Sequence, residues 1–228
     1  MEDSKSWWWF EKYLVPPIEY CVYPRKNPID YTVNSYNYRC PEFDTIDWEK
    51  SIVVLGGSDF FGEGITDENL CSTVLQRKTG WPVINLASPA ASNQQIVLTM
   101  AMLSRHYKPR CWIVGWCDVY RWMHWDTKQA DPEKIISPRG PHKEFCHKPF
   151  PQLADALPWY SSQARVTALA IAGDRMLEFG QGAWEQSKEW GITQHNFIDT
   201  GTVENHAGDK TQNMFAEIAF NEITKRGW

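Results

Sequence analysis

The stretch from Ser51 to Asp67, SIVVLGGSDFFGEGITD, limits what this chain can fold into more than any other. Ile52, Val53, Val54 and Leu55 form a short apolar, β-branched run, the pattern of a strand covered on both faces. Gly56 and Gly57 end the run and Ser58 follows in the turn. Gly62 and Gly64 keep the next loop close to backbone, and Asp67 is placed to N-cap a helix with Leu70, Val74 and Leu75 on one stripe. Open α/β folds place nucleophiles and ligand contacts at the carboxyl end of such a strand. Taken alone, the stretch favours the plainer reading, a glycine-rich βα turn whose serine only caps. Gly57 and Gly62 have the spacing of a phosphate-binding loop, but Glu63 and Gly64 stand where that motif needs Lys and Ser or Thr.

Further along, Gly80 stops the first helix, and Trp81-Pro82 leads into Val83 and Ile84, a second short strand over 83–86. Ser92 with Gln95 three later predicts a capping box, followed by an apolar helical face of Ile96, Val97, Met100 and Leu103. CWIVGW, Cys111 to Trp116, reads as the third strand. Ser161 or Ser162 is expected to cap a helix carrying Val166, Leu169, Ala170, Gly173 and Leu177 and stopping at Gly180. A second helical piece to Trp190, a last strand over 192–198 and an amphipathic helix near 209–225 complete the pattern. Residues 1–47 read as an aromatic, proline-broken arm laid across a domain of residues 48–228, with 34–43 extended. Residues 127–158 read as a long excursion over the carboxyl edge of the sheet, where a lid or partner surface would sit.

The chain has 228 residues, enough for one α/β domain with a full core, and a net charge of −5, which leaves no electrostatic footprint for nucleic acid or an anionic membrane. No apolar run approaches the ~20 residues of a membrane span. MEDSKSWWWF does not read as a secretory signal. The six cysteines (Cys21, Cys40, Cys71, Cys111, Cys117 and Cys146) lack C-x-x-C spacing, which predicts reduced, buried thiols in a protein made in the cytoplasm. Cys146, His147 and His142 lack zinc-site spacing, so no metal and no cofactor is expected. Most of the thirteen tryptophans are expected in core or groove packing, with a glycan-stacking or assembly surface as the alternative use.

The spacing GGS-x-x-x-G at Gly56–Gly62 resembles the first block, GDS-x-x-x-G, of the SGNH (GDSL-type) hydrolase family, with Ser58 in the nucleophile's place and Gly57 where Asp is usual. Asn85 to Ser92, NLASPAAS, is similar to the second block, N-x-G-x-x-G-x-S, with Ala87 and Ala90 at its glycines; the resemblance makes the Ala90 N–H an oxyanion donor beside that of Ser58. Gly115-Trp116-Cys117-Asp118 resembles G-x-N-D, with Cys117 in place of the oxyanion asparagine. His206 and Gly208 match the closing D-x-x-H-P-G block and make His206 the general base, but Val203 stands at the aspartate position, and Asp199 and Glu204 are off register. The stretch DVYRWMHWD, with Asp118, Arg121, Trp122 and Trp125, also resembles a G-W-x-x-x-x-R stretch of SGNH-like proteins encoded by tailed phages, which makes Trp116, Asp118 and Arg121 binding candidates.

The resemblance implies a three-layer α/β/α fold with a flavodoxin-like parallel sheet. It leaves two functions open. One is a non-catalytic or barely catalytic structural or binding protein with a degraded site, whose partners are other protein chains, virion proteins on the phage resemblance. The other is an active serine esterase or glycan deacetylase using Ser58 and His206, for which a cell-surface glycan is the partner.

Overall fold

In the computed structural model the apolar run forms strand β1, Ile52–Leu55, with all four residues buried. The structure describes residues 29–89, 91–119, 124–125, 136–137, 151–181, 185–202 and 206–228. The aromatic start of the arm and most of the 127–158 excursion therefore lie outside the described residues. β1 pairs in parallel with β2, Val83–Asn85, on one side and β3, Cys111–Trp116, on the other. Beyond the last paired residue of β2, Leu86 N–H still donates to the Val54 carbonyl at 2.8 Å, so the pairing runs over the expected 83–86. A two-stranded ribbon joins β4, His124–Trp125, to β5, Ile136–Ser137. β6, Met176–Gln181, and β7, Gln194–His195, complete a parallel sheet of order β2-β1-β3-β6-β7, with β1 inside it.

Two apolar layers flank the sheet. On one face Ile96, Val97, Met100 and Leu103 of α3, Asn93–Ser104, pack with Ala164 and Ala168 of α4, Pro151–Ala172. Ser92 Oγ accepts from Gln95 N–H at 3.2 Å, which fixes the start of α3. On the other face Phe60 of α1, Ser58–Phe61, packs with Val74 and Leu75 of α2, Cys71–Thr79, and with Phe215, Ala219 and Ile223 of α6, Asp209–Arg226. α5 is a short helix, Glu185–Glu189. The three-layer α/β/α expectation is the fold observed.

Several local expectations are corrected. The helix placed over 161–180 is instead α4 followed by a turn and β6, because Gly173 adopts φ +61° and ends the helix seven residues early. Leu177 and Phe179 then face the core from a strand; the alternation of MLEFGQ was masked by the apolar residues before it. Residues 151–158, assigned to the excursion, are the first turns of α4. Asp67 does not cap α2, whose N-cap is Leu70; its carboxylate goes to Arg39. The last strand is only Gln194–His195. Asn34–Phe43 is not extended: Asn34 Oδ1 accepts from Tyr36 and Tyr38 N–H at 3.0 Å, folding the segment on itself. Tyr38 and Phe43 join the core with Trp48.

Gly115 sits where β3 passes under α1, and a Cβ there would run into the ring of Phe60. Phe60 is stacked on Phe215 (5.0 Å between centroids), so it has no free direction to yield. Gly115→Ala should lower stability by about 1–3 kcal/mol, the usual cost of overpacking, read as a lower melting temperature.

Candidate active site

The turn after β1 places Ser58 at the first position of α1, at the carboxyl edge of the sheet. Its backbone N–H belongs to the helix-start donors that have no intrahelical partner. Phe60 carbonyl accepts from Asn85 Nδ2 at 2.9 Å, and Asn85 Oδ1 accepts from Ala87 N–H at 3.0 Å. The asparagine of the second block therefore anchors α1 to the end of β2.

The loop after α1 turns through Gly62, φ +80°, where a side chain would meet Leu70 and the Arg39 guanidinium. Arg39 holds this loop. Its Nη1 donates to the carbonyls of Phe61 (3.2 Å) and Gly62 (2.7 Å), and its Nη2 to that of Ile65 (3.0 Å). Asp67 closes the set by accepting from Nε at 3.2 Å and pairing with Nη2. The Tyr31 ring covers the guanidinium at 4.7 Å, and Tyr31 Oη accepts from Gly64 N–H at 2.9 Å. The arm so far as it is described is thus part of the scaffold of the Ser58 turn.

His206 arrives from the other end of the chain. The segment from Asp199 to Thr202 meets the segment from His206 to Gly208 through an antiparallel bridge between Thr200 and Ala207 and through Gly201 N–H donating to the His206 carbonyl at 2.9 Å. Asp199 pins the loop to α6: its carboxylate accepts from Lys210 N–H (3.0 Å), Thr211 N–H (2.8 Å) and Thr211 Oγ1 (2.8 Å). Burial pushes the Asp199 carboxyl up, but these donors outweigh it and hold it below the ordinary range. A Cβ on Gly208 would come within 2.6 Å of Asp199 Cγ, which accounts for the glycine. Asp59 Oδ1 then accepts from Ala207 N–H at 3.1 Å, and the Asp59 carbonyl accepts from Gln212 Nε2 at 2.7 Å.

These ties bring Ser58 Oγ and His206 Nε2 to 3.0 Å, across 148 residues of sequence. Ser58 is buried and the His206 side chain is 23 % exposed, so among the described residues the pair is reached from the histidine's side. Glu63 Oε2 lies 3.5 Å from the same Nε2, and its side chain is only 5 % exposed. This carboxylate was missed from sequence, where Glu63 served only to exclude a phosphate loop; a lone charged residue between Gly62 and Gly64 was the available signal.

Trp116 and Cys117, also proposed for the site, are taken up by internal contacts. Trp116 is fully buried, and its indole N–H donates to Glu178 Oε1 at 2.9 Å; it has no surface for a ligand. Glu178 is held in turn by Arg165 Nε at 2.7 Å and Nη2 at 3.0 Å, so Trp116 belongs to a packed polar strut between β3, β6 and α4. Cys117 is also fully buried, its Sγ 4.0 Å from the Gly115 carbonyl and its backbone clasped by Asn93 at 2.8 and 3.0 Å. Asp118 follows β3, half-buried. Ala90, Arg121, Val203 and Glu204 lie outside the described residues. Asp199 is bound to the start of α6 rather than free to orient a ring. Cys40, Cys71, Cys111 and Cys117 are free thiols, and burial pushes Cys71 and Cys111 up to about 12. No group of three or more metal-ligating side chains exists among the described residues, and no helix among them is long and apolar enough to cross a membrane. A cavity of about 450 Å³ lies at the opposite, amino edge of the sheet between Tyr107, Arg110, Trp112 and Arg175, away from the Ser58–His206 pair.

With this geometry established, the chain can be set beside known proteins. No family model and no curated protein matches it. Among solved structures it is similar to esterases and lipolytic proteins of the GDSL (SGNH) type. A carbohydrate esterase family 2 enzyme from the fungus Corynascus thermopiles (Myceliophthora fergusii) is 10 % identical over 79 % of this chain and 67 % of its own, with a TM-score of 0.47. A G-D-S-L family lipolytic protein from Desulfitobacterium hafniense is 11 % identical over 75 % of this chain and 98 % of its own, with a TM-score of 0.46. An acetyl xylan esterase from the rumen bacterium Butyrivibrio proteoclasticus is 8 % identical over 81 % and 66 %, with a TM-score of 0.48.

Two variants test the scaffold. Arg39→Gln leaves three carbonyls short of their donor and should destabilise the fold, at about 1–3 kcal/mol for each buried group left unpaired, seen in denaturant titration. Asp199→Asn should cost about 1 kcal/mol, as for loss of a helix cap. Because the Asp199 carboxyl is held low in the folded chain, its contribution is present above the ordinary carboxylate range, about pH 4. It is lost as pH falls through the folded value. The melting temperatures of wild type and Asp199→Asn should therefore differ at pH 7 and converge on acidification.

Proposed function

We propose that this chain is a slow serine acyl hydrolase acting on carboxylic esters, with Ser58 as nucleophile and His206 as general base. The observation that carries the reading is the 3.0 Å contact between Ser58 Oγ and His206 Nε2 at the carboxyl edge of a parallel sheet. Serine and imidazole in hydrogen-bond reach are the minimum for nucleophilic acyl transfer. Ser58 Oγ attacks the acyl carbon as its proton passes to Nε2. The oxyanion that forms faces the Ser58 backbone N–H at the start of α1, with the Ala90 N–H as second donor on the block pattern. His206 returns the proton to the departing alkoxide, and water releases the acyl group by the same steps in reverse order of roles.

The rate is limited by what the site lacks. The third oxyanion donor, an asparagine amide in the block pattern, is here Cys117, whose S–H is directed at the Gly115 carbonyl. One such donor is worth ~10²–10³ in rate. The partly exposed histidine leaves the pair within reach of an ester, and an acetylated glycan is the substrate class we propose.

A second reading is supported by the exposed aromatic face of α4, where Trp159 is 59 % and Tyr160 44 % exposed, beside Val166. On it the chain is a binding or assembly protein whose hydrolase site is a remnant, and its partners are other protein chains, virion proteins among them. Turnover of p-nitrophenyl acetate separates the two. The hydrolase reading expects Ser58→Ala and His206→Ala each to remove at least 100-fold of the wild-type rate, and a fluorophosphonate to label wild type only, at Ser58. Equal rates in wild type and both folded variants, with no labelling, would leave the binding protein.

A further inference from the structure

Glu63 has an environment that a solvent-facing loop residue would not have. Its N–H donates to the Ser58 carbonyl at 3.0 Å, which folds the loop back over α1. Its neighbours are fixed from three other segments: the carbonyls of Gly62 and Ile65 by Arg39, Gly64 N–H by Tyr31, and the Gly64 carbonyl by Thr202 Oγ1 at 3.0 Å. The carboxylate is thereby turned inward, with a 5 % exposed side chain. Burying a carboxylate is unfavourable unless charge or donors compensate, and the ring nitrogen it faces is the one that faces Ser58 Oγ.

We infer that Glu63 is a positioning residue of this site, acting through His206 by stabilising the imidazolium formed when Ser58 gives up its proton. This rests on the Ser58–His206 reading above. In the step itself the Oγ–H bond breaks, its proton moves to Nε2, the Oγ–C bond forms and the carbonyl electron pair moves to oxygen. Glu63 exchanges no proton. At 3.5 Å from Nε2 it is too far to displace Ser58 at 3.0 Å as hydrogen-bond partner, yet close enough to act on the new positive charge through an interior of low dielectric. Such a carboxylate on the nucleophile side differs from the aspartate of a Ser-His-Asp triad, which sits behind the ring at Nδ1.

The test compares the full chain with Glu63→Gln, Glu63→Asp and Ser58→Ala. Glu63→Gln keeps the size, removes the charge and exchanges one acceptor oxygen for an NH2 donor. It should slow fluorophosphonate labelling of Ser58 and lower kcat on p-nitrophenyl acetate by about 10- to 100-fold, less than the ~10⁴ of losing a triad carboxylate, with KM unchanged. Labelling at the wild-type rate in folded Glu63→Gln overturns the inference and leaves the hydrolase reading intact. If Glu63→Gln does not fold, Glu63→Asp, which retracts the charge by one methylene, carries the test: slower labelling supports the role, and an unchanged rate overturns it. Absence of labelling in wild type overturns the hydrolase reading instead. The His206 ring ¹⁵N resonances then decide: a shift in the folded variant, as the charge is removed or retracted, supports the contact, and unmoved resonances overturn it.

Discussion

Gln212 joins the two ends of this chain, and the site depends on that join. Its side chain is fully buried, with Nε2 donating to the Asp59 carbonyl at 2.7 Å and Oε1 accepting from Cys71 N–H at 3.0 Å. One amide thus links α6 to α1 and to α2, the helices on either side of the Glu63 loop. Asp59 adds its own bond to Ala207, next to His206. A buried amide has several groups to satisfy, and leaving one unpaired costs about 1–3 kcal/mol. Gln212 therefore sets the register of α6 against α1 more sharply than the apolar contacts of Phe215 and Phe60 alone, which tolerate sliding.

Around that join, the polar groups of the site divide into those that hold backbone and those that face the edge. Arg39, Asn85, Asp199 and Gln212 spend hydrogen bonds on main-chain groups of loops and of helix ends, where regular structure leaves groups unpaired. Ser58, His206 and Glu63 are what these anchors present. The sheet contributes by its stiffness: β1 is hydrogen-bonded on both sides, so the turn at its carboxyl end has a fixed origin.

The carboxylates near His206 show why proximity in sequence misleads. Asp199 is seven residues away and satisfied by the start of α6, while Glu63, 143 positions distant in the chain, lies against the ring. Helix N-termini offer unpaired N–H groups and a favourable dipole, so a carboxylate within reach is captured there first. Glu63 has no competing helix start and is turned inward by the grip of Arg39 on its loop.

The periodic segments were legible in the sequence: the buried strands over 52–55, 83–86 and 111–116, the capped α3 and the terminal helix follow from apolar pattern and caps alone, since those signals act within a few residues. The same locality explains the failure at 161–180, where Gly173 and Leu177 continue the helical spacing of Val166, Leu169 and Ala170 although Gly173 ends the helix and Leu177 lies in the strand behind it. Ser58 and His206 could be named from block order. Their 3.0 Å contact, the inward turn of Glu63, the role of Arg39 and the burial of Trp116 and Cys117 could not. Each of these depends on which face a loop turns toward its neighbour, and that is settled by hydrogen bonds between segments far apart in the chain, such as those of Gln212 and Arg39, which leave no period or spacing to read.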